Sequence, residues 1–401
     1  MLSQPSLFKL LSHLAPARFS SWIASTTGET APVHLPNAIR TARSQLRTWL
    51  ESFDALTLDQ LEHQAERILL LSDRLGCEVL TGLRCTLNDD ARMQFEAQTD
   101  QYQRALWLSE HDAACFEQAL EARDAEAMRV KVRFWTGFLA PAGLNALHDA
   151  TSRSQLTARM AELLGLSADQ VAIQVFLRNR GTNRLIQISV HYNRPSELFD
   201  QVIQGELTHT TLVRALAAYV TYEPDSGHLE VLSPTAEHRE GIARGVADTL
   251  LKCAFDAAPL PLKRFDYQVL AKPLELDLRS APEVMSAVVS SLGYRSFRRQ
   301  LNFAIPATEK LSIHAAASQS IQQHFVFAEH PLNAAKIRVR LRPTRDSRAR
   351  TITIQLADTH RCNTKSMRDA DRALCDRLLA QWDLVRMVAS NDSSVGHAEA
   401  A

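Results

Sequence analysis

The densest concentration of one chemical group in this chain lies between Lys336 and Leu356. Lys336-Ile337-Arg338-Val339-Arg340-Leu341-Arg342 alternates without a break. Successive side chains of a strand point to opposite faces, so Ile337, Val339 and Leu341 fall on one side and Arg338, Arg340 and Arg342 on the other. Thr351-Ile352-Thr353-Ile354-Gln355-Leu356 repeats the alternation with β-branched residues, which suit a pleated surface. The polar segment between the two runs adds Arg345 and Arg348, and Arg350 opens the return run. Lys336 through Arg368 holds ten Lys/Arg against two Asp, in a chain where 45 Lys+Arg balance 45 Asp+Glu. A local cationic patch on a neutral protein is a footprint for an anionic partner. Arginine's planar fork matches phosphate better than lysine's point charge.

A second segment, Tyr294-Arg295-Ser296-Phe297-Arg298-Arg299, interleaves cations with aromatics. Arg295, Arg298 and Arg299 can hold phosphates while Tyr294 and Phe297 stack on bases. Two plainer explanations compete. Charge on the outer face of an edge strand guards against edge-to-edge pairing. An arginine face can also close on acidic residues of the helical region as an interdomain seam.

Histidines offer a different chemistry. His191, His209, His228 and His238 fall within one stretch, with Glu206, Glu230, Glu237 and Glu240 nearby. His191 and His228 alternate outward on their strands and would share a face if those strands were neighbours. No spacing among them is that of a known ligand set, and there is no His-Glu-x-x-His. His360-x-Cys362 lacks a second pair of ligands. The expectation is no metal and no cofactor. The nucleophile elbow, the kinase set and the glycine-rich phosphate loops are all missing. Gly241-x-x-x-Gly245 lies on an expected helix, where it permits close packing.

Composition narrows the class. The 401 residues are 45% hydrophobic, enough for a sizeable core in two or three domains. Six scattered cysteines form no disulfide or zinc pattern and fit a reducing, cytoplasmic compartment. No apolar run reaches membrane-spanning length, so no membrane association is expected. Arginine exceeds lysine and alanine is abundant, which suggests a bacterial, GC-rich source. Met1–Thr27 has no acidic residue. It reads either as a transit peptide or as a first helix docking Leu7, Phe8, Leu11 and Leu14.

The elements that must position these residues follow in order. Residues 1–36 are an N-terminal segment and linker, and 37–165 a helical region. Thr57 with Gln60 reads as a capping box and Asn88 as another helix start. Arg133–Pro141 packs three aromatics with Gly137 and Pro141, an expected corner between domains. Gly165 caps a helix over Ser152–Leu164. Residues 166–260 form an α+β module with hairpins over 171–192 and 219–232. Ser233 with Pro234 starts a helix there. Residues 261–388 form a second α+β module with the arginine-rich hairpin and a helix over Ser366–Val385. Hairpin then helix recurs in both, a pattern that duplication would explain. Residues 389–401 are a flexible tail.

The expected fold is therefore α+β, an all-helical N-terminal region followed by two antiparallel-sheet modules with packed helices. The expected function is non-enzymatic binding of nucleic acid or another polyanion through the arginine-rich face, in a regulatory or host-defence setting. The alternatives are an enzyme with its site among the middle-module histidines, and a scaffold subunit whose helical region docks a protein partner.

Overall fold

The computed structural model describes residues 4–30, 32, 34–147, 149–203, 205–258, 260, 262–295, 300–305, 311–320, 331–343, 349–357 and 361–388. They divide into two compact units, Met1–Ala258 and Pro259–Ala401. The fold is α+β, with a helical N-terminal region and antiparallel sheets.

The first unit opens with α1 (Pro5–His13) and α2 (Pro16–Thr27). Each begins on proline, whose fixed φ and missing N–H suit a helix's first turn. Leu7, Leu10, Leu11, Leu14, Phe19, Trp22 and Ile23 are buried, so this acid-free stretch belongs to the core. Each such side chain contributes roughly 1.5–3 kcal/mol of transfer free energy. Next come α3 (Ile39–Leu50), α4 (Ala55–Leu71), α5 (Arg74–Leu83), α6 (Asp89–Glu96), α7 (Gln101–His111) and α8 (Ala113–Arg129). Asp54, Asp73, Asn88, Asp100 and Asp112 cap α4 to α8, each accepting from the N–H three residues on. The cap expected at Thr57 sits at Asp54 instead. Asp54 is in extended backbone and takes both the N–H and the hydroxyl of Thr57, which leaves Thr57 inside the first turn.

The periodicity then changes. β1 (Trp135–Leu139), α9 (Ala150–Leu164), β2 (Val171–Arg180), β3 (Asn183–Asn193), β4 (Glu197–Ile203), β5 (Glu206–Leu212), β6 (Ala215–Glu223), β7 (His228–Leu232) and α10 (His238–Val246) follow. Five strands make an antiparallel sheet in the order β1-β7-β6-β3-β2. Its edge strand β1 comes from the stretch assigned above to the helical region. Five residues of mixed aromatic and small side chains are too few to display a strand period. β4 and β5 pair only with each other, as an arm inserted between neighbours β3 and β6. Gly227 closes the β6–β7 turn at φ +72, where an added Cβ would lie 2.2 Å from the Ala140 carbonyl oxygen. Helix α10 starts later than the expected Ser233 cap. The Ser233 hydroxyl accepts from the Thr235 N–H, and buried Arg239 donates to the Ser233 and Arg133 carbonyls, which holds the chain in a turn.

Both faces of this sheet are covered. Ile186, Ile188, Val190, Val220, Tyr222, Leu229 and Val231 pack with α9 and α10. The opposite face meets α5 and α8. There Arg178, Gln187, Ser189 and Thr221 are buried as well.

The second unit contains β8 (Leu262–Phe265), β9 (Val284–Arg295), β10 (Gln300–Ala304), α11 (Ile313–Ser320), β11 (Leu332–Leu341), β12 (Thr351–Ala357), β13 (Arg361–Cys362), α12 (Asp369–Gln381) and β14 (Val385–Val388). Its main sheet has the order β10-β9-β11-β12-β13, and β14 pairs with β8. The helix expected to reach Val385 stops at Gln381, and Val385 instead begins β14. The two sheets differ in connectivity. In the first, the earliest strand lies at one edge and the chain returns to it from the far edge. In the second, the chain starts inside at β9, steps out to β10 and comes back to β11. Hairpin then helix is thus a local pattern shared by two different topologies. No helix among the described residues is long and apolar enough to cross a membrane.

Candidate polyanion-binding face

Strand β11 is the middle strand of the second sheet, paired to β9 on one side and β12 on the other. Ile337, Val339 and Leu341 point inward, into one buried cluster with Ile352, Ile354 and Leu356 of β12 and Leu374, Leu378 and Trp382 of α12. On the other side Lys336 and Arg340 are exposed and Arg338 is half-buried. Edge protection does not account for these cations, because a strand paired on both sides has no free edge.

Register defines what surrounds them. Arg340 lies between Ser286 and Thr351, Arg338 between Val288 and Thr353, and Lys336 between Ser291 and Gln355. All six cross-strand neighbours are uncharged. Alternate residues of a strand recur about every 6.6–7 Å, so the three positive groups form a row with that spacing. Register shifts on the β9 side, beside Lys336 and beside Arg340, bulge the sheet at both ends of the row.

The other expected residues are placed differently. Arg342 is exposed just past the strand, with Nε donating to the Pro282 carbonyl at 2.8 Å. Arg350 is already committed, forming a two-pronged ion pair with Asp371 of α12, with Nη1 to Oδ2 at 2.8 Å. Asp371 is only 8% exposed, so this arginine ties helix to sheet. Tyr294 is 1% exposed, with its ring edge-on to Phe303 at 5.9 Å, so it offers no face for a base. It fell on the inward side because it opposes Leu332 on β11. Arg295 ends β9 opposite Gln300. Arg298, Arg299, Arg345, Arg348 and Phe297 lie outside the described residues, as does the tail 389–401.

The histidines are dispersed. His191 lies 3.0 Å from the Glu121 carboxylate of α8, which holds its pKa up against burial. His209 contacts Asp200 on the β4–β5 arm at 2.7 Å, and His228 contacts Glu223 at 3.5 Å. His191 and His228 do share a face, but at opposite ends. Their rows cross β6 at Ala217 and Glu223, roughly 20 Å apart. Among the described residues no group of three or more His, Cys, Asp or Glu could hold a metal ion.

Glu230, named above beside the histidines, is instead paired with arginines. Its carboxylate accepts from Arg129 Nε at 2.9 Å, Arg180 Nη1 at 3.1 Å and the Thr221 hydroxyl at 3.3 Å. Glu126 on α8 accepts from Arg178 Nη2 at 2.6 Å and Arg180 Nε at 2.8 Å. Arg178 Nε reaches Gln187 at 2.6 Å. Burial works to raise both carboxyl pKa values. The surrounding arginines win and hold both well below the ordinary glutamate range. This buried arginine seam lies within the first unit and is built from Arg129, Arg178 and Arg180, none of them in the arginine-rich hairpin. The available signal was weak: Arg178 and Arg180 alternate at the end of β2 and read as part of the turn.

The two units also differ in charge. Met1–Ala258 carries 24 Lys/Arg and 31 Asp/Glu, net −7, and Pro259–Ala401 carries 21 and 14, net +7. No family model matches the chain, and no curated protein is detectably similar to it.

Proposed function

We propose that the second unit binds nucleic acid or another polyanion on the solvent-facing side of its main sheet. The observation that carries this reading is the exposed pair Lys336 and Arg340 on one face of the central strand, with uncharged residues beside each in both ladders. Lys336 and Arg340 are exposed, and among the described residues their cross-strand neighbours carry no charge that would compete with an outside anion. The unit's net charge of +7 supplies a longer-range attraction of the same sign. Arg350 takes no part, because Asp371 holds it. The enzyme alternative draws less support from the middle module, where His191, His209 and His228 each face a separate carboxylate.

The test is fluorescence anisotropy of a labelled oligonucleotide with the full chain at low salt. The double variant Lys336→Glu and Arg340→Glu is the comparison. Both side chains are exposed, so the fold should survive the change, and circular dichroism checks that it does. Affinity is expected to fall more than about tenfold. Undiminished binding in a folded double variant would remove the reading.

A further inference from the structure

We infer that the first unit carries a phosphate-binding face of its own, built by α1 and α3, and that a nucleic-acid backbone is what it holds. The face is separate from the one on the second unit, and neither depends on the other.

In α3, Ala42, Leu46 and Leu50 recur at spacings of four and are buried, which turns one side of the helix into the core. Arg40, Arg43 and Arg47 recur at i, i+3 and i+7 and so form one stripe about 10 Å long. Arg40 and Arg47 are exposed and Arg43 is half-buried. α1 packs alongside. Its Ser12 carbonyl accepts from Arg43 Nη2 at 2.7 Å, and its Phe8 ring lies 5.1 Å from the Arg47 guanidinium. The exposed Lys9 is three residues before Ser12 and therefore on the same side of α1. A guanidinium has five N–H donors. The bond to Ser12 uses one and the contact with Phe8 none, so both arginines are held in place with donors left over.

Among the described residues the unit's own acids do not take these cations. Residues 1–50 carry five Lys/Arg and one Asp/Glu, net +4, whereas residues 51–258 carry 19 and 30, net −11. Arg18, Arg67, Arg84 and Arg123 of the helical region each pair with a carboxylate. Lys9, Arg40, Arg43 and Arg47 are in no ion pair among the described residues.

The rest of the α3 surface points to the ligand. Beside the arginines it exposes Thr41, Ser44, Gln45 and Thr48. Arginine, lysine, hydroxyl and amide side chains are the groups that contact phosphate oxygens along a backbone. An anionic membrane is the competing source of phosphate. A helix lying on a bilayer buries an apolar face in it. Here the apolar sides of both helices, Leu7, Leu10 and Leu11 with Ala42, Leu46 and Leu50, are already in the core, which leaves Ile39 as the one exposed apolar side chain of α3.

Fluorescence anisotropy of a labelled duplex and of labelled oligo-dT, from about 50 to 200 mM salt, tests this with full-length proteins. They are the parent, Lys336→Glu with Arg340→Glu, Arg40→Glu with Arg47→Gln, and all of these changes together. Arg40 is the second residue of α3, where glutamate suits the helix dipole, and circular dichroism checks the fold. Removing two phosphate contacts should lower the salt slope by about 1.8 on duplex and about 1.4 on oligo-dT. Affinity at low salt should fall more than about tenfold, both in the parent and in the second-unit variant. Arg40→Lys with Arg47→Lys keeps both charges and should retain most of the slope. Unchanged slope and affinity in folded Arg40→Glu with Arg47→Gln would overturn the α1–α3 face and leave the second-unit reading standing. If that variant weakens binding and the second-unit variant does not, the α1–α3 face stands and the second-unit reading falls. Loss of binding to phosphatidylserine vesicles in that variant, with oligonucleotide affinity unchanged, would assign the face to a lipid surface instead. Absence of oligonucleotide binding by the parent removes both.

Discussion

Arg178 of β2 donates from Nη2 to Oε1 of Glu126 on α8 at 2.6 Å, with the arginine only 1% exposed. The bond joins the helical region to the first sheet across 52 residues of chain. Arg180, Arg129 and Glu230 extend it into a network between α8 and strands β2 and β7 of that sheet. A buried ion pair is weak evidence of net stability, since desolvation offsets its attraction. Removing one partner is a different matter, because the other stays buried and charged.

Glu126→Ala takes the carboxylate from buried Arg178 and leaves Arg180 with Glu230. The expected loss is about 3–5 kcal/mol, read as a lower midpoint in urea denaturation. Glu126→Gln keeps one acceptor oxygen and should lose less. A loss below about 1 kcal/mol for the alanine variant would mean that water reaches the seam.

The same network predicts acid sensitivity. Glu126 and Glu230 have folded pKa values below the ordinary glutamate value of 4.5. Their contribution is therefore complete above the unfolded-state value and is lost as pH falls toward the folded one. Stability of the first unit should be level near neutrality and decline progressively below about pH 4.5. In Glu126→Gln that decline should be shallower, so the two denaturation curves converge with acid. Parallel curves from pH 7 to 3 would show that the carboxylate is not charged in the fold.

Gly82 on α5 is a second point of close approach to β2. A Cβ built there would lie 2.1 Å from the Asn179 carbonyl oxygen, a backbone atom with little room to move. Gly82→Ala should therefore separate helix from strand and destabilise by about 1–3 kcal/mol, despite alanine's better helix propensity. A thermal midpoint equal to or above that of the parent would show that the helix shifts freely.

Arg350 separates stability from binding. Arg350→Ala leaves the buried Asp371 carboxylate without its two-pronged partner, and about 1–3 kcal/mol of second-unit stability should go with it. Oligonucleotide affinity should be unchanged within about twofold at a temperature where the variant is folded. Loss of affinity with no loss of stability would return Arg350 to the binding face.

Much of the local structure was legible beforehand. The alternation at 336–342 and 351–356 gave both strands and their inward faces, because side-chain direction on a strand depends only on parity. The hairpin closed by Gly227 and the helix closed by Gly165 were legible for a similar reason. A positive φ favours glycine wherever it occurs. The first sheet's edge strand was not legible, since β1 is defined by pairing with Leu232–His228, nearly a hundred residues away. The β4–β5 arm was also missed. Its exposed Leu198, Val202 and Leu207 share no simple alternation with the polar residues between them.

By itself the sequence determined which side chains of β11 are charged and which way they point, since both follow from residue identity and a period of two. Tertiary structure alone decided that β11 is central and not an edge, that Arg350 is taken by Asp371, and that Tyr294 is inside. It also decided that the chain's buried arginine seam is made by Arg178 and Arg180. Each of those outcomes depends on which distant segment lies alongside. Pairing between remote carboxylates and guanidinium groups leaves no periodic trace in the order of residues.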